Sequence, residues 1–422
     1  MNSVEALYPL SPMQQGMLFH SLHSPDAGEY FRQLSLSLTG ELDAAAFQSA
    51  WRAALQRHSV LRSAFVWEGV REPVQAVLRE MELPWEEYHW ERLPAGRQSK
   101  LLADLLEQDE LRGFPVGAPP LIRFSLVYLG NSRHEFVFSF HHAILDGWSI
   151  PLLLAEVFEN HAAGLAGRAF QAKDPVPYRD YVVWLKKQDL AAAERFWRGY
   201  LTGFATATDI RLGSASVSRD GSHSYGELAY PVSGELYARL KIFARMRRLT
   251  LNTILKGVWS LLLSRYGGSG DVVFGSVVSG RSAPIARVEE MIGLLLNVLP
   301  VRATVDGRAI AAEWLQALQA NHAAVLEWEW TPLNRIRDWA ETSAGEPLFE
   351  SLFAFENYPA PTDLLPASGQ LRAVARSASE RTSFPLTLTV TAGQDLAVLF
   401  TYDLSRFRPE AIARMAAHFG AA

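Results

Sequence analysis

His141-His142-Ala143-Ile144-Leu145-Asp146-Gly147 puts two histidines, an acid four positions past the second and a glycine into seven consecutive residues. That set suits acyl transfer to an amine or alcohol, which needs aligned substrates, a group to manage the proton and donors for a developing oxyanion. Imidazole, with an unperturbed pKa near ~6.5, is a base at neutral pH. Glycine lets a peptide N–H approach a reacting centre because no side chain intervenes, so Gly147 joins the histidines as a candidate. Asp146 has two uses open to it: orienting an imidazole as in a triad, or pairing with an arginine to fix the loop. The second is favoured, because a short loop rarely places an acid behind its own neighbour's ring. Arg62 is the candidate partner.

The flanking sequence predicts how these residues are held. In His134-Glu135-Phe136-Val137-Phe138-Ser139-Phe140 the phenylalanines recur at period two, which predicts a strand with one apolar face. Adjacent side chains of an extended chain point opposite ways, so His141 and His142 should do different jobs. After the motif, Ser149 is expected to cap a helix, Pro151 suits its first turn, and Leu152 to Ala163 is free of further breakers. The motif is thus expected on a strand-to-helix loop, a common seat for chemistry on a rigid scaffold.

Other uses of these residue types are weaker. Two adjacent histidines could ligate a metal, but they diverge in an extended segment and no second cluster has ligand spacing, so no metal is expected. Gly267-Gly268-Ser269-Gly270 lacks the lysine and spacing of a nucleotide loop and reads as a turn. Gly275 to Gly280 has the wrong spacing for a GxSxG nucleophile elbow. The basic run Arg245-Met246-Arg247-Arg248 reads as a solvated helix face. Trp51, Trp184 and Trp197 read as core. His20, His23, His58, His89, His161, His223, His322 and His418 read as structural or surface histidines.

With 422 residues the chain is too long for one ordinary core. Apolar and charged fractions of 49% and 20% are those of a soluble globular protein. The longest apolar runs fall well short of the ~20 residues a spanning helix needs, and the start lacks a basic region before an apolar one, so neither membrane association nor a leader is expected. The absence of cysteine excludes a disulfide framework and a thiolate nucleophile and fits a cytoplasmic enzyme. A formal charge of −5 offers no general reason to bind nucleic acid.

Strand and helix patterns alternate along the chain. Asp43 should cap a helix carrying Phe47, Trp51 and Leu55 on one stripe and ending near His58. A strand over Val60 to Trp67, a helix over Arg97 to Gln108 and a strand over Leu121 to Leu129 precede the motif strand. The polar, proline-bearing stretch 168–177 reads as a boundary, dividing the chain into lobes 1–175 and 176–422. A single helix is expected over Tyr178 to Tyr200 and a surface loop or hinge over Thr202 to Ser224. Then follow a strand near Tyr225 to Val232, helices from Ser233 and over Leu251 to Tyr266, a strand over Val272 to Ser279 and a helix near Ile310 to Leu326. Strands at Ser351 to Glu356, Phe384 to Thr391 and Leu396 to Tyr402 complete two α/β halves.

At this level of detail the chain resembles a condensation domain of a nonribosomal peptide synthetase, one of the HHxxxDG acyltransferases, over nearly its whole length. The opening signature of the family resembles Leu10-Ser11-Pro12-Met13-Gln14-Gln15-Gly16-Met17-Leu18-Phe19-His20. A second resembles Arg57 to Phe65, with Ser59 where an acid is frequent. His141 to Gly147 is the central one, followed by Tyr178-Arg179-Asp180-Tyr181-Val182-Val183-Trp184 and Ile292 to Pro300. Glu329-Trp330-Thr331-Pro332-Leu333 departs from the usual histidine-containing form. Phe355-Glu356-Asn357-Tyr358-Pro359 and Arg381-Thr382-Ser383-Phe384-Pro385-Leu386 resemble later signatures. HxxxD alone is shared with other acyltransferases; the ordered set is highly specific.

The resemblance implies an α/β fold of two chloramphenicol-acetyltransferase-like lobes, forming a V-shaped pseudo-dimer around a central tunnel. It implies peptide-bond formation between a donor thioester and an acceptor amine, presented on phosphopantetheine arms by upstream and downstream peptidyl carrier proteins. A neighbouring adenylation domain is also expected, with no cofactor bound by the domain itself. By the same resemblance His142 is catalytic where the two arms meet, Gly147 lies close to the reacting carbonyl, His141 and Asp146 are mainly structural, and Arg62 salt-bridges Asp146. The form Met13 to His20 resembles domains that accept a donor ending in a D-residue. Epimerisation and non-catalytic recruitment are the alternatives; recruiters typically lose HHxxxDG, and epimerisation is disfavoured by the Trp148-Ser149 continuation.

Overall fold

The computed structural model describes residues 4–23, 30–210, 225–342, 346–357, 371–380 and 384–422. Residues 211–224 of the loop expected over Thr202 to Ser224, with His223, and Tyr358-Pro359 and Arg381-Thr382-Ser383 of the late signatures lie outside the described residues, as does the start Met1-Asn2-Ser3. The chain forms two compact units, each gathered from several stretches: Met1–Lys187, Arg281–Leu295 and Tyr358–Arg381, and Gln188–Gly280, Leu296–Asn357 and Thr382–Ala422. Among the described residues no helix is long and apolar enough to cross a membrane.

In the first unit, β1 (Val4–Pro9), α1 (Pro12–His23), β2 (Phe31–Thr39), α2 (Ala44–Arg57), β3 (Ser63–Val66), β4 (Val74–Leu78) and β5 (Trp85–His89) lead to α3 (Ala95–Arg112). Then come β6 (Ile122–Gly130), the motif strand β7 (Arg133–His141), α4 (Ser149–Leu165) and α5 (Tyr178–Leu185). A five-stranded sheet runs in the order β12-β2-β7-β6-β5, its first strand, β12 (Arg372–Glu380), coming from far down the chain; β1, β4 and β3 form a separate three-stranded sheet. β7 is central, antiparallel to β2 and to β6. Register places Leu34 and Phe124 beside Phe138, and Leu36 and Leu126 beside Phe136. This is the apolar face read from period two, and Phe47, Trp51 and Phe158 of α2 and α4 close it. The opposite face includes buried polar groups: Glu135 accepts from the hydroxyls of Ser35 and Ser37.

The second unit holds α6 (Leu190–Leu201), β8 (Tyr225–Pro231), α7 (Gly234–Arg247), α8 (Leu251–Gly267), β9 (Asp271–Val278), β10 (Asn297–Thr304), α9 (Ala311–Leu326) and α10 (Leu333–Trp339). It ends with β11 (Ser351–Glu356), β13 (Leu386–Ala392), β14 (Leu396–Asp403) and α11 (Pro409–Ala421). Its six-stranded sheet runs β10-β9-β11-β13-β14-β8, with β11 parallel to both neighbours. Trp259, Phe274, Phe353, Phe400 and Met415 anchor one continuous core.

Local signals decided many boundaries. Asp43 accepts from the Ala46 N–H at 2.9 Å and starts α2 as expected. Three expectations are corrected. Residues 59–62 are a 3-10 turn, and the strand begins only at Ser63; the turn folds Arg62 back so that its guanidinium meets the Leu55 and Gln56 carbonyls at 3.1 Å. The single helix expected over 178–200 is two, because the Asp189 carboxylate caps the Ala191 and Ala192 N–H groups at 2.9 and 3.0 Å and starts a new helix. Finally, Ser149 is the first residue of α4 and not its cap; the Asp146 carboxylate takes the Ser149 N–H at 2.8 Å.

Candidate active site

β7 ends at His141, and the chain turns through residues 142–148 before α4. The two histidines use opposite neighbours, as an extended backbone requires: the His141 N–H donates to the Leu121 carbonyl at 2.9 Å, the His142 N–H to that of Tyr30 at 2.7 Å. Tyr30 sits at φ 64, a left-handed conformation unusual for a bulky residue. Both rings are buried, at 3% and 7% exposure.

Their hydrogen bonds give them different tautomers. The His142 Nδ1 lies 2.7 Å from the Leu145 carbonyl oxygen. A carbonyl can only accept, so Nδ1 carries the hydrogen and Nε2 is left with the lone pair. His141 is the reverse: its Nδ1 accepts the Ala143 N–H at 3.2 Å, so its Nε2–H faces the Ser21 hydroxyl at 3.3 Å. Burial, with added repulsion from His142 and Arg32, pushes the His141 pKa down to about 3, so this ring stays neutral near pH 7. Gly147 is half-buried, and its N–H has no hydrogen-bond partner among the described residues.

Asp146, 2% exposed, is saturated by groups that do not include either histidine. Its Oδ1 accepts from the Ser149 N–H (2.8 Å), the Ser149 hydroxyl (2.7 Å) and Arg281 Nη2 (2.9 Å). Its Oδ2 accepts from Arg281 Nη2 at 3.2 Å and from the Leu295 N–H at 3.0 Å. Arg281 Nη1 in turn donates to the Val288 and Met291 carbonyls, each at 2.9 Å. The segment closes on itself through Gly293, whose N–H donates to the Ser149 hydroxyl at 3.0 Å while its carbonyl accepts the Asp146 N–H at 3.1 Å. Both carboxylate oxygens are thus bonded to Ser149, Arg281 and Leu295 and to neither imidazole.

The expected Arg62–Asp146 salt bridge is replaced by one between Arg281 and Asp146. Arg62 has other partners: it donates to the carbonyls of Leu55, Gln56, Leu78 and Arg79, and Nη1 lies 2.8 Å from the Glu5 carboxylate. Carbonyls freed at the end of α2 claim its planar fork first. Arg281 escaped notice because its partner is 135 residues away in sequence and no spacing rule joins them. The Ile292 and Tyr178 signatures also meet, since the hydroxyls of Tyr178 and Tyr181 donate to the Leu294 and Leu295 carbonyls at 2.8 and 3.0 Å. In the second unit, Asn297 Nδ2 donates to the carbonyls of Glu329 and Thr331 at 2.7 and 2.8 Å, which gives the atypical 329–333 segment a backbone task. Among the described residues no group of three or more His, Asp or Glu is arranged to hold a metal ion.

A buried, oriented imidazole on a strand-to-helix loop of an α/β unit is compatible with acyl transfer. The sequence matches the Condensation domain family over residues 4–422, and the chain belongs to that family: it is an amide-bond-forming enzyme domain of the kind found in nonribosomal peptide synthetases. One of the polypeptides of linear gramicidin synthase from Brevibacillus parabrevis is 40% identical over 414 residues, which cover 98% of this chain and 5% of that protein. The chain thus spans a small part of this relative's length. A holo four-domain nonribosomal peptide synthetase, AB3403, bound to AMP and glycine, has the same fold at TM-score 0.83 and 17% identity, over 99% of this chain and 33% of that one. The X-domain from teicoplanin biosynthesis shares it too, at TM-score 0.80 and 20% identity over 98% and 93%.

Proposed function

We propose that this chain forms the peptide bond between a peptidyl or aminoacyl thioester on an upstream carrier protein and the α-amine of an aminoacyl thioester on a downstream carrier, both on phosphopantetheine arms. His142 is the catalytic group, the Gly147 N–H lies beside the reacting carbonyl, and His141 and Asp146 are supports, with Arg281 in the place expected of Arg62. The observation that carries this is the His142 Nδ1–H held on the Leu145 carbonyl, which leaves Nε2 as the base. In the reaction the amine nitrogen attacks the thioester carbon, Nε2 accepts the amine proton, the C–S bond breaks, and the imidazolium returns that proton to the leaving thiolate, giving the amide, the free thiol and the neutral imidazole. An α-amine with a pKa near ~7.7 to 8.0 is already partly neutral at pH 7, so the histidine is asked for ~10² to 10⁴ in rate and alignment for more.

The donor is proposed to end in a D-residue, supported by the Met13 to His20 signature. Mixing the chain with two loaded carriers and following dipeptidyl thioester by mass spectrometry tests both points. His142→Ala is expected to lose at least a hundredfold in turnover while keeping its melting temperature; wild-type turnover in that variant refutes the catalytic role. Equal rates with D- and L-configured donors refute the donor preference. A correctly folded wild-type chain that makes no product with either donor would favour the recruitment reading.

A further inference from the structure

The motif loop is also bonded at Ala143, by a device that begins as a helix cap. Ser11-Pro12-Met13-Gln14 is an S-x-x-Q capping box at the start of α1: the Gln14 N–H donates to the Ser11 hydroxyl at 3.2 Å, and the Ser11 N–H donates to Gln14 Oε1 at 2.9 Å. Because Oε1 is committed to an N–H, the amide orientation is determined and Nε2 points the other way. Its two hydrogens go to Gln75 Oε1 at 2.7 Å and to the carbonyl of Ala143 at 3.0 Å. Gln75, on β4, is aimed in its turn, since its Nε2 donates to the hydroxyls of Tyr8 and Ser63, both at 2.7 Å. Gln14 and Gln75 are each 0% exposed.

Ala143 follows His142 directly and opens the turn whose Leu145 carbonyl orients the His142 ring. We propose that Gln14, steered by Gln75, is a positioning residue for His142: its amide pins the Ala143 carbonyl and so holds the turn that fixes the ring's tautomer and direction. This inference rests on His142 being the reacting group. A capping box needs only the oxygen of Gln14; the two buried donors are surplus to capping, and one is spent on the catalytic turn.

Gln14→Met keeps the length of the side chain and removes all three of its bonds. A displacement near ~1 Å can cost about a hundredfold in rate, so a ten- to hundredfold fall in kcat is expected, with KM for both thioesters within about twofold of wild type. Ser11→Ala is the control: it removes the hydroxyl half of the same cap yet leaves the Ser11 N–H on Gln14 Oε1 and the Ala143 contact, and should keep kcat within about threefold. Gln14→Glu keeps the capping oxygen and replaces the donor. Protonation restores one donor, so its kcat relative to wild type should climb as pH falls, a response that a capping defect lacks. This variant also decides the matter if Gln14→Met does not fold. Wild-type kcat in Gln14→Met or in Gln14→Glu at neutral pH, equal losses in Ser11→Ala and Gln14→Met, or a pH-independent Gln14→Glu defect would overturn the proposal. His142→Ala, run alongside, separates the two ideas: an inactive His142→Ala beside a fully active Gln14 variant refutes only the positioning role.

Discussion

The Asp146–Arg281 pair makes the sharpest energetic prediction. Their side chains are 3% and 5% exposed, so solvent screening is small and the carboxylate depends on protein donors. Arg281→Met leaves that carboxylate with Ser149 and Leu295 alone and also frees the Val288 and Met291 carbonyls. Removing one partner of a buried pair costs about 3–5 kcal/mol. For a unit of this size that is a fall of about 6–20 °C in melting temperature. Asp146→Asn keeps an oxygen for Ser149 but presents an NH₂ to another donor, at about 1–3 kcal/mol. In the double variant the stranded charge is gone, so the combined loss should fall short of the sum by at least ~1 kcal/mol. Arg62→Met should also destabilise, through four carbonyls, yet combine with Asp146→Asn additively to within ~0.5 kcal/mol. Scanning calorimetry on the five variants and wild type measures both couplings. Equal coupling of Asp146 to Arg62 and to Arg281, or a cost below ~1 kcal/mol for Arg281→Met, would refute the assignment.

Gly293→Ala brings a Cβ to 2.3 Å from Tyr178 Cδ2, so the ring or the segment must move, and a loss of about 1–3 kcal/mol is expected. Because the same residue bonds Ser149 and Asp146, turnover should fall with stability; an unchanged melting curve would contradict the packing. In the second unit, Lys256 is 1% exposed, its Nζ 2.8 Å from His322 Nε2, and burial pushes its pKa down from 10.5 to about 7. Between those values the unfolded chain holds the proton and the folded chain does not, so stability should rise with pH from about 7 to 10.5. His322, driven down from 6.5 to about 3 by burial and by Lys256, adds a further rise with pH across that acid range. Lys256→Met should flatten the alkaline rise, as read from urea midpoints at each pH; an unaltered slope would show that another group carries it.

Much of the fold was legible because its cues are short-ranged. Period two in residues 134–140, the Asp43 cap and the stripe of Phe47, Trp51 and Leu55 act within a few residues, and β7 and α2 lie where those patterns put them. Where two local readings competed, the sequence misled: Asp189 is a good cap inside an apolar pattern that otherwise runs on, and Ser149 a good cap beside a better acceptor. The strands β2, β10 and β12 left little trace, since a strand is completed by partners that its own residues do not name.

The candidate site divides in the same way. Residue types and spacing by themselves pointed to the divergence of His141 and His142, favoured an acid that pairs with an arginine over one behind an imidazole, and suited acyl transfer. Only the tertiary structure decided which groups do the supporting. Arg281 reaches Asp146 across 135 residues and Gln14 reaches Ala143 across 129, separations at which hydrogen-bond partners are chosen by what the fold leaves unsatisfied and not by spacing along the chain. The His142 tautomer belongs to the folded chain for the same reason: it follows from one carbonyl, that of Leu145, which the turn after β7 brings to 2.7 Å from Nδ1.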